Sequence, residues 1–314
     1  MKNELNKVGN IKISRLGKSS ITAEYSDGDF ENQLLEMFKN GMTDAKRREI
    51  IAKDPAWAIR YHVAYERQNL LNWYEFKKDS SILEVGSGCG AITEVLVKSK
   101  AKKVVANELS ERRASVNAHR NAKATNLEVL IGNLQEYKPT EKFDYVICVG
   151  VLEYAGTFID SDQPYSEFLK LLRSFLKDGG RLLLAIENKM GLKYFAGAKE
   201  DHTGVLFDGM NGYPGRQKIK TFGKKELSEL IINNSFGINR FYYPFPDYKL
   251  PKVVYSDDFY PGHNTTMPLA LVTGKPYDHP KYELYSEQAM MLNLEKNDMF
   301  REMANSFLVE AIAK

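Results

Sequence analysis

Five short apolar segments between residues 81 and 186 alternate with helical segments, and this alternation limits the fold more than any other feature. Helices are predicted from Ile92 to Lys98, up to about Ala122, and over residues 164–177, where Asp178-Gly179-Gly180 would end the helix. Strands that alternate with helices at this spacing form a parallel sheet with helices on both faces. We therefore predict an α/β fold with strands at Ser81–Val85, Lys103–Glu108, Leu127–Ile131, Phe143–Val149 and Arg181–Ile186.

A glycine-rich loop, Glu84-Val85-Gly86-Ser87-Gly88-Cys89-Gly90, joins the first of these strands to its helix. Glycines let the backbone turn tightly and approach a ligand, while the helix N-terminus presents free N–H groups. Glu108 ends the second strand, twenty residues after Gly88, where an acid can accept hydrogen bonds from both hydroxyls of a ribose. A glycine cluster alone is weak evidence, but this order of strand, loop, helix, strand and acid predicts a nucleoside cofactor.

The spacing of the glycines and the acid before them indicate which nucleoside is bound. The dinucleotide fingerprint is GxGxxG and brings a pyrophosphate to the start of the helix. Here the third glycine comes one residue early, and Glu84 precedes the first. A carboxylate beside the loop would repel a pyrophosphate but suits an ammonium group and a sulfonium. The electrostatics therefore favour S-adenosylmethionine over NAD.

At these residues the chain resembles the class I S-adenosylmethionine-dependent methyltransferases. Their first motif is similar to Glu84–Gly90, their ribose-binding acid aligns with Glu108, and their fourth-strand motif is similar to Phe143–Tyr154. The resemblance covers about residues 60–275. It implies a Rossmann-like sheet of seven strands, mostly parallel, whose last two strands form an antiparallel hairpin at one edge. Those two strands are predicted near Ile238–Tyr243 and Pro268–Thr273.

The same resemblance implies S-adenosylmethionine as methyl donor and S-adenosylhomocysteine as product. Asn133 aligns with the place where such enzymes hold the adenine amino group, although a loop-capping role fits it equally. Leu134 would pack on the adenine or on the core, and Gly150 lies where the fourth strand opens onto the cofactor. The predicted cofactor-binding residues are Glu84, Gly86, Ser87, Gly88, Gly90, Glu108, Leu109, Asn133, Leu134 and Gly150.

Three further segments, Ala185–Phe195, Glu200–Gly204 and Tyr243–Pro251, carry a narrower resemblance. They look like methyltransferase domains found beside glycosyltransferases in bacterial surface-polysaccharide proteins. This resemblance implies that the acceptor is a sugar or glycan precursor, methylated on oxygen. It also implies a glycosyltransferase domain or protein as a partner.

The run Glu200-Asp201-His202 lies in the segment after the fifth strand, on the side of the sheet where α/β proteins bind ligands. Charged residues amid glycines and aromatic residues have no obvious packing purpose, and the alternative is a solvated loop tip. We predict His202 or Asp201 as the base that deprotonates an acceptor hydroxyl, with Glu153 as second candidate. The predicted substrate-binding residues are Tyr154, Glu200 and Tyr61, the last with Arg60 beside it.

Composition excludes several classes of protein. Forty-four Lys and Arg against 41 Asp and Glu give a net charge of +3, too weak a basic balance to make nucleic acid the default partner. The two cysteines, Cys89 and Cys148, form no CxxC pair, which argues against a disulfide framework or thiolate zinc site. No His, Asp and Glu cluster has metal-ligand spacing, so no metal is predicted. Without a signal peptide or an apolar run of membrane-spanning length, a cytoplasmic protein is expected.

The surrounding segments divide the chain into three predicted regions. Residues 1–75 form an N-terminal hairpin, with Gly17-Lys18-Ser19 between its arms, and a helical cap that includes Pro55. Residues 76–275 form the cofactor-binding domain, with a substrate-side insertion at about 187–222. Residues 276–314 form a helical tail without a stop signal, which leaves open that the chain is part of a longer protein.

Three other functions stay open beside O-methylation. An N-methyltransferase of an amino sugar or small amine would need no strong base. A nucleic-acid methyltransferase would show Asn/Asp-Pro-Pro-Tyr/Phe near the fourth strand or a basic patch, and the sequence has neither. A non-catalytic protein that binds S-adenosylmethionine beside a glycosyltransferase is the third. The acceptor and the oligomeric state are not defined by the sequence.

Overall fold

The computed structural model describes residues 2–17, 29–53, 57–215, 218–260 and 284–314. These residues form a mixed α/β fold with ten strands. Two compact units are present: Met1–Val149 with Phe175–Gly180, and Gly150–Ser174 with Arg181–Lys314. Each unit is described separately below.

The first unit is built on strands that pair in the order β1-β2-β5-β4-β3-β6. The strands β2, β5, β4, β3 and β6 pair parallel to their neighbours, whereas β1 and β2 form an antiparallel hairpin. Their bounds are β1 (Lys2–Val8), β2 (Ile11–Leu16), β3 (Ser81–Val85), β4 (Lys103–Glu108), β5 (Leu127–Ile131) and β6 (Phe143–Val149).

The four predicted central strands, β3 to β6, have the predicted bounds. Their apolar side chains, among them Ile82, Val105 and Val146, are fully buried, as a parallel sheet requires. Asp144 lies near the start of β6 and accepts hydrogen bonds from the N–H and the hydroxyl of Ser81, at 2.8 and 2.9 Å. Lys177 donates to the other oxygen of Asp144 at 2.8 Å. Asp144 therefore ties adjacent strands together, as a structural residue.

Helices of the first unit lie before and between these strands. In the predicted helical cap, α1 and α2 are separate helices, because the chain turns at Gly41, which has a φ of 74°. Ser110 caps the helix after β4 and accepts a hydrogen bond from Arg113 N–H. The helices are α1 (Asp29–Lys39), α2 (Asp44–Lys53), α3 (Trp57–Val63), α4 (Thr93–Lys98) and α5 (Glu111–Arg120), with 3-10 turns at Tyr65–Leu70 and Leu134–Glu136.

Glu94, on α4, connects the N-terminal helices to the helix behind the glycine loop. Its Oε2 accepts hydrogen bonds from Arg47 at 3.3 Å, Gln68 at 2.9 Å and Arg120 at 3.0 Å. Burial raises the pKa of Glu94, but Arg120 and its other cationic partners outweigh burial and lower the pKa to about 2. The carboxylate is therefore ionised and links α2, the Tyr65–Leu70 turn and α5.

The second unit is built on an antiparallel sheet in the order β7-β10-β8-β9. Its strands are β7 (Leu176–Glu187), which begins in the first unit, β8 (Phe236–Phe245), β9 (Val253–Ser256) and β10 (Ser306–Ala313). Its helices are α6 (Ala155–Phe158), α7 (Pro164–Phe175), α8 (Leu192–Phe195), α9 (Lys224–Ile232), α10 (Glu287–Lys296) and α11 (Phe300–Met303), with a 3-10 turn at Leu152–Tyr154. An isolated bridge between Asn188 and Phe222 joins the two ends of the predicted insertion.

Several sequence predictions differ from the structure. The segment Asp178-Gly179-Gly180 does not end a helix before the fifth strand, because α7 ends at Phe175 and β7 already includes these residues. The tail is not wholly helical, since Ser306–Ala313 is a buried strand. The N-terminal segment is not separate from the cofactor-binding region, because β2 pairs with β5.

Two more differences concern the strands. The seven-strand count is not confirmed, because β1 and β2 extend the parallel strands. The described N-terminal hairpin, β1 with β2, turns at residues 9 and 10. Its predicted second arm, Pro55 and the predicted strand Pro268–Thr273 lie outside the described residues. Among the described helices, none combines the length and apolarity needed to cross a membrane.

Candidate functional site

The glycine loop of the first unit turns through residues with left-handed backbone conformations. Gly88 has a φ of 54° and Gly90 a φ of 80°. A Cβ at Gly90 would lie 2.4 Å from Asn117 Oδ1, so the missing side chain there serves packing. Around Gly88, by contrast, no described atom lies within 4 Å of the Cβ position. The loop therefore leaves open space at Gly88, as close approach of a ligand requires.

Glu84 is buried beneath this loop and is the first carboxylate of the predicted cofactor site. Its Oε2 accepts a hydrogen bond from Thr93 at 2.5 Å. Asn117 donates to Thr93 at 2.9 Å and to the Ser87 hydroxyl at 3.0 Å, which extends the network to the loop. Burial raises the pKa of Glu84 to about 8, against the lowering effect of the Thr93 hydrogen bond. A cation bound beside Glu84 would favour its ionised form.

Glu108, at the end of β4, is the second carboxylate. Its Oε2 accepts a hydrogen bond from the Gly88 N–H at 2.8 Å, and its Oε1 accepts one from the Ser110 N–H at 2.9 Å. Burial raises the pKa of Glu108, although these backbone N–H groups oppose the shift. Each carboxylate oxygen has a second lone pair, so Glu108 can brace the glycine loop and still accept a ribose hydroxyl.

The remaining predicted cofactor residues have local structural roles, and their contact with a cofactor stays a prediction. Asn133 caps the Leu134–Glu136 turn by accepting a hydrogen bond from Gln135 N–H at 2.9 Å. Leu134 is buried and Leu109 half-buried. Gly150 belongs to the second unit, and a Cβ there would lie 2.7 Å from the Tyr248 hydroxyl. Packing against Tyr248 therefore accounts for that glycine.

Four side chains of the second unit, Glu153, Glu187, Glu200 and His202, form what we call the histidine centre. His202 Nδ1 lies 3.1 Å from Glu200 Oε1. Its Nε2 lies 3.7 Å from Glu153 Oε1 and 3.9 Å from Glu187 Oε2. The side chain of His202 is only 6% exposed, and the three glutamates are buried. One imidazole is thus surrounded by three carboxylates away from water.

Asp201 lies among cations on the neighbouring side of the same run. Its Oδ2 accepts hydrogen bonds from Lys193 Nζ, at 2.6 Å, and from the Tyr194 hydroxyl. Lys249 Nζ lies 2.6 Å from Asp201 Oδ1 and 2.8 Å from Glu187 Oε1, so it links Asp201 to the histidine centre. The predicted loop run is therefore an ordered charge network, and the alternative of a solvated loop tip is wrong.

The charge states of these groups change the predicted assignment of the base. Burial lowers the pKa of His202, but Glu187, Glu153 and Glu200 outweigh it and raise the pKa well above its ordinary value. Burial raises the pKa of Asp201, but Lys193 and Lys249 outweigh it and lower the pKa well below its ordinary value. At neutral pH His202 is protonated and Asp201 is a weakly basic carboxylate. Both are therefore poor general bases.

Glu153, the second candidate, has the properties that the other two lack. Burial raises its pKa, against the opposing effect of His202. Its Oε2 is buried and accepts no hydrogen bond from any described residue. A buried carboxylate with a raised pKa and a free lone pair is a suitable proton acceptor.

Glu187, Lys193 and Lys249 belong to the network but were not predicted. Glu187 follows the apolar residues 182–186 of β7, where it reads as the polar end of a strand. All three lie in the segments that carry the narrower resemblance. That overlap was the one sequence signal that pointed to them.

The first residues of β10 position the segments that carry the centre. Asn305 Oδ1 accepts a hydrogen bond from Lys193 N–H at 2.9 Å, and Asn305 Nδ2 donates to Pro246 O at 3.0 Å. Ser306 pairs with Glu187 across the β7–β10 ladder and accepts a hydrogen bond from Tyr248 N–H at 2.8 Å. Three distant stretches of chain are thereby fixed against one strand.

Of the predicted substrate-binding residues, two adjoin the histidine centre. The Tyr154 ring stands edge-on to His202, with centroids 5.3 Å apart. Glu200 accepts hydrogen bonds from the N–H groups of His202 and Thr203, each at 2.7 Å. Tyr61 lies in the first unit, where Arg67 stacks on its ring at 4.2 Å. Its substrate contact stays a prediction.

Two expectations about reactive groups can be compared with the structure. Cys89 and Cys148 are buried and form no disulfide among the described residues, and burial raises the pKa of Cys89 to about 12, which leaves Cys89 without nucleophilic thiolate at neutral pH. The expectation that no acidic and histidine side chains have metal-ligand spacing is wrong in three dimensions. Ligand atoms of Glu153, Glu187 and His202 lie within 4.8 Å of one another. They come from three separate segments, so no sequence spacing reveals them.

Comparison with known proteins agrees with the cofactor prediction. The family model for a methyltransferase domain matches residues 83–182, which carry the glycine loop and Glu108. Ribosomal RNA small subunit methyltransferase A of Streptococcus thermophilus is 33% identical over 124 residues, covering 35% of this chain and 42% of that protein. The chain thus spans less than half the length of this relative. Residues 83–182 thus have the sequence pattern of a methyltransferase domain.

Solved structures similar to the chain include two other methyltransferases. A TehB-like S-adenosylmethionine-dependent methyltransferase from Corynebacterium glutamicum has a TM-score of 0.43 and 12% identity, covering 86% of this chain and 96% of that one. Phosphoethanolamine N-methyltransferase 1 of Haemonchus contortus, in complex with phosphoethanolamine and S-adenosylhomocysteine, has a TM-score of 0.45 and 16% identity. That match covers 70% of this chain and 45% of the Haemonchus chain.

Proposed function

We propose that the protein transfers a methyl group from S-adenosylmethionine to a hydroxyl of a sugar or glycan precursor in surface-polysaccharide biosynthesis. The observation that carries this proposal is Glu153, a buried carboxylate with an oxygen that no described residue engages. A hydroxyl acceptor must lose a proton when it attacks, and Glu153 can accept it. An amine acceptor would need no such group.

The first unit supplies the residues for the cofactor. Glu108 would accept hydrogen bonds from the ribose hydroxyls, Glu84 would pair with the ammonium group, and the space at Gly88 would admit the ligand. Bound S-adenosylmethionine supplies an activated methyl on a sulfonium. The contribution of the protein is then to align the acceptor oxygen with that methyl and to remove the proton.

On the acceptor side, the charge network would fix Glu153 in place. His202 lies between Glu153 and Glu187, and Lys249 compensates Glu187. Tyr154 and the carboxylates offer a ring face and hydrogen-bond acceptors, which suit an acceptor with several hydroxyl groups. A glycan precursor has both an apolar face and many hydroxyls.

The narrower resemblance supports the same acceptor class. Its three segments, Ala185–Phe195, Glu200–Gly204 and Tyr243–Pro251, contribute Glu187, Lys193, Glu200–His202 and Lys249 to one network. These three segments resemble the same group of methyltransferase domains and contribute to the same charge network. We therefore expect them to determine which substrate is bound. We extend the proposal to a cytoplasmic protein that works with a glycosyltransferase.

A screen of labelled methyl transfer tests the proposal. The full chain would be incubated with methyl-labelled S-adenosylmethionine and, separately, nucleotide sugars, lipid-linked glycans and polymer. We expect label in one of these classes as an alkali-stable methyl ether, and loss of labelling with E153Q. Label on an amine would favour the N-methyltransferase, and cofactor binding without transfer to any extract would favour the non-catalytic alternative.

Ribosomal RNA is a second candidate acceptor because the curated relative at 33% identity methylates small-subunit ribosomal RNA. The match covers only 35% of this chain, and the net charge is +3. Adding small-subunit ribosomal RNA to the same screen separates the two. Transfer to RNA that withstands competition by the glycan fractions would replace the glycan proposal.

A further inference from the structure

Two buried carboxylate oxygens in the second unit, on glutamates that adjoin the same imidazole, have no hydrogen-bond partner among the described residues. They are Oε2 of Glu153 and Oε2 of Glu187. The residues are 1% and 0% exposed, so water is not a ready alternative partner. Leaving a buried polar atom unpaired is destabilising, and more so for a charged group. Their placement therefore calls for an occupant that compensates both.

His202 is oriented so that one ring nitrogen is free to bind such an occupant. Its Nδ1 lies 3.1 Å from Glu200 Oε1, which keeps a proton on Nδ1, and a metal ion that binds Nε2 displaces the proton from that atom. Glu200 is itself fixed by two backbone N–H groups at 2.7 Å and by the Tyr213 hydroxyl at 3.1 Å. An imidazole that donates one N–H to an anchored carboxylate is the usual arrangement of a metal-ligating histidine.

Glu187 is anchored in the same manner through its other oxygen. Lys249 Nζ lies 2.8 Å from Glu187 Oε1, and the Tyr248 hydroxyl donates to that atom at 3.3 Å. Oε2 is thereby directed away from these partners, at 3.9 Å from His202 Nε2. The contacts from Lys249 and Tyr248 orient the Glu187 side chain without using Oε2, the oxygen that faces the imidazole.

The separations suit a metal ion after a small adjustment. Two ligand atoms that are each about 2.1 Å from a tetrahedral ion are about 3.4 Å apart. His202 Nε2 is 3.7 Å from Glu153 Oε1 and 3.9 Å from Glu187 Oε2. Side-chain rotations that shorten these separations by a few tenths of an ångström would bring each glutamate to a suitable distance from His202 Nε2, and ligand atoms of all three groups already lie within 4.8 Å of one another.

We propose that Glu153, Glu187 and His202 form a binding site for a divalent transition-metal ion such as Mn²⁺, Co²⁺ or Zn²⁺. One imidazole and two carboxylates are ligands that these ions accept in common, whereas Ca²⁺ and Mg²⁺ favour oxygen alone. The dipositive charge compensates both carboxylates. Three protein ligands leave a coordination position open. If the proposed function is correct, the acceptor hydroxyl occupies that position, and this last step rests on the proposed function.

Metal titration of the untagged full chain, stripped with chelator and without cofactor or acceptor, tests the site. Co²⁺ should bind once per chain with visible absorption bands, and bound Mn²⁺ should give an electron spin-echo signal from one imidazole nitrogen. E187Q and H202A should each weaken binding at least tenfold. E167Q, which changes an exposed glutamate of the same unit, should leave it unchanged.

Two results would overturn the proposal: no binding below millimolar Co²⁺ by wild-type protein, or equal binding by E187Q, H202A and wild type. The nitrogen signal is measured on wild-type protein, so it decides the matter even if a variant does not fold. Calorimetry with S-adenosylmethionine reports on the first unit independently. Methyl transfer that persists in chelator would leave the proposed function intact while excluding a catalytic role for the metal.

Discussion

The glycine loop and the histidine centre both bury carboxylates, but they compensate them differently. Glu84 and Glu108 are satisfied by a hydroxyl and by backbone N–H groups, and burial raises both pKa values. Glu187 and Asp201 are paired with Lys249 and other cations; burial raises their pKa values, but these cations outweigh it, so both are lowered. The loop therefore gains from a cation that a ligand brings, whereas Glu187 Oε1 and Asp201 already have Lys249 as a cationic partner.

Glu153 differs from Glu187 and Asp201 in the same unit, because burial raises its pKa although His202 is adjacent. We expect E153Q to lower kcat for methyl transfer by about 10²–10⁴-fold, because a general base contributes that much. The affinity for S-adenosylmethionine should stay unchanged, because that site lies in the first unit. Single-turnover kinetics and calorimetry measure the two. An unaltered kcat would remove Glu153 from the reaction.

If the glycine loop and the histidine centre have separate functions, substitution of Glu108 should have the opposite effect to E153Q: it should change cofactor affinity. E108A should weaken S-adenosylmethionine binding about 100-fold, because it removes charged hydrogen bonds to two ribose hydroxyls and releases the Gly88 N–H. Calorimetry measures this loss, and E111Q, on the exposed start of α5, serves as control. Native affinity in E108A would contradict the cofactor assignment.

The loop itself contains a matched pair of glycines. G90A should destabilise the fold by about 2 kcal/mol, because its Cβ overlaps Asn117. G88A meets no described protein atom, so it should cost only about 1 kcal/mol of backbone strain but weaken cofactor binding about tenfold. Denaturant unfolding and calorimetry together separate the effects. Equal losses of stability in both variants would show that Gly88 is also a packing position.

The smallest expected effect is a pH dependence that only the loop should show. Glu84 has a pKa of about 8 in the free protein, because burial raises it, and an ammonium ligand stabilises its ionised form. Binding below pH 8 should therefore release a proton, and affinity should rise about tenfold from pH 6.5 to 8. Calorimetry in two buffers with different ionisation heats measures the proton. E84Q should abolish the rise, and a slope that survives in E84Q would assign it to another group.

The two regions also differ in how far the sequence predicts them. The loop is contiguous from Glu84 to Gly90, and its partner Glu108 ends the next strand. One short stretch of sequence therefore contains the whole arrangement. The strands β3 to β6 have the predicted bounds because charged or glycine residues border each apolar run. Local patterns of this kind depend little on the rest of the fold.

The histidine centre could be predicted only in part. Glu153 and the run Glu200–His202 were recognised, but Glu187 and Lys249 come from positions 62 residues apart, and their meeting depends on tertiary structure. The choice among His202, Asp201 and Glu153 as base stays a prediction, because charge states follow from neighbours that the sequence does not place. The strand β10 was missed because an apolar run of eight residues fits a buried helix as well as a central strand.

The place of β10 between β7 and β8 also sets an order of events for the second unit. The ladder joins Ser306 to Glu187 and Leu308 to Tyr242, so it closes chain loops of more than 60 residues. Contacts of such sequence separation form slowly. During synthesis, β7 and β8 remain without their shared neighbour until residues 306–313 emerge, and until then both edges are open to pairing with other chains. Assembly of the histidine centre is therefore expected to be a late event, because it requires β10.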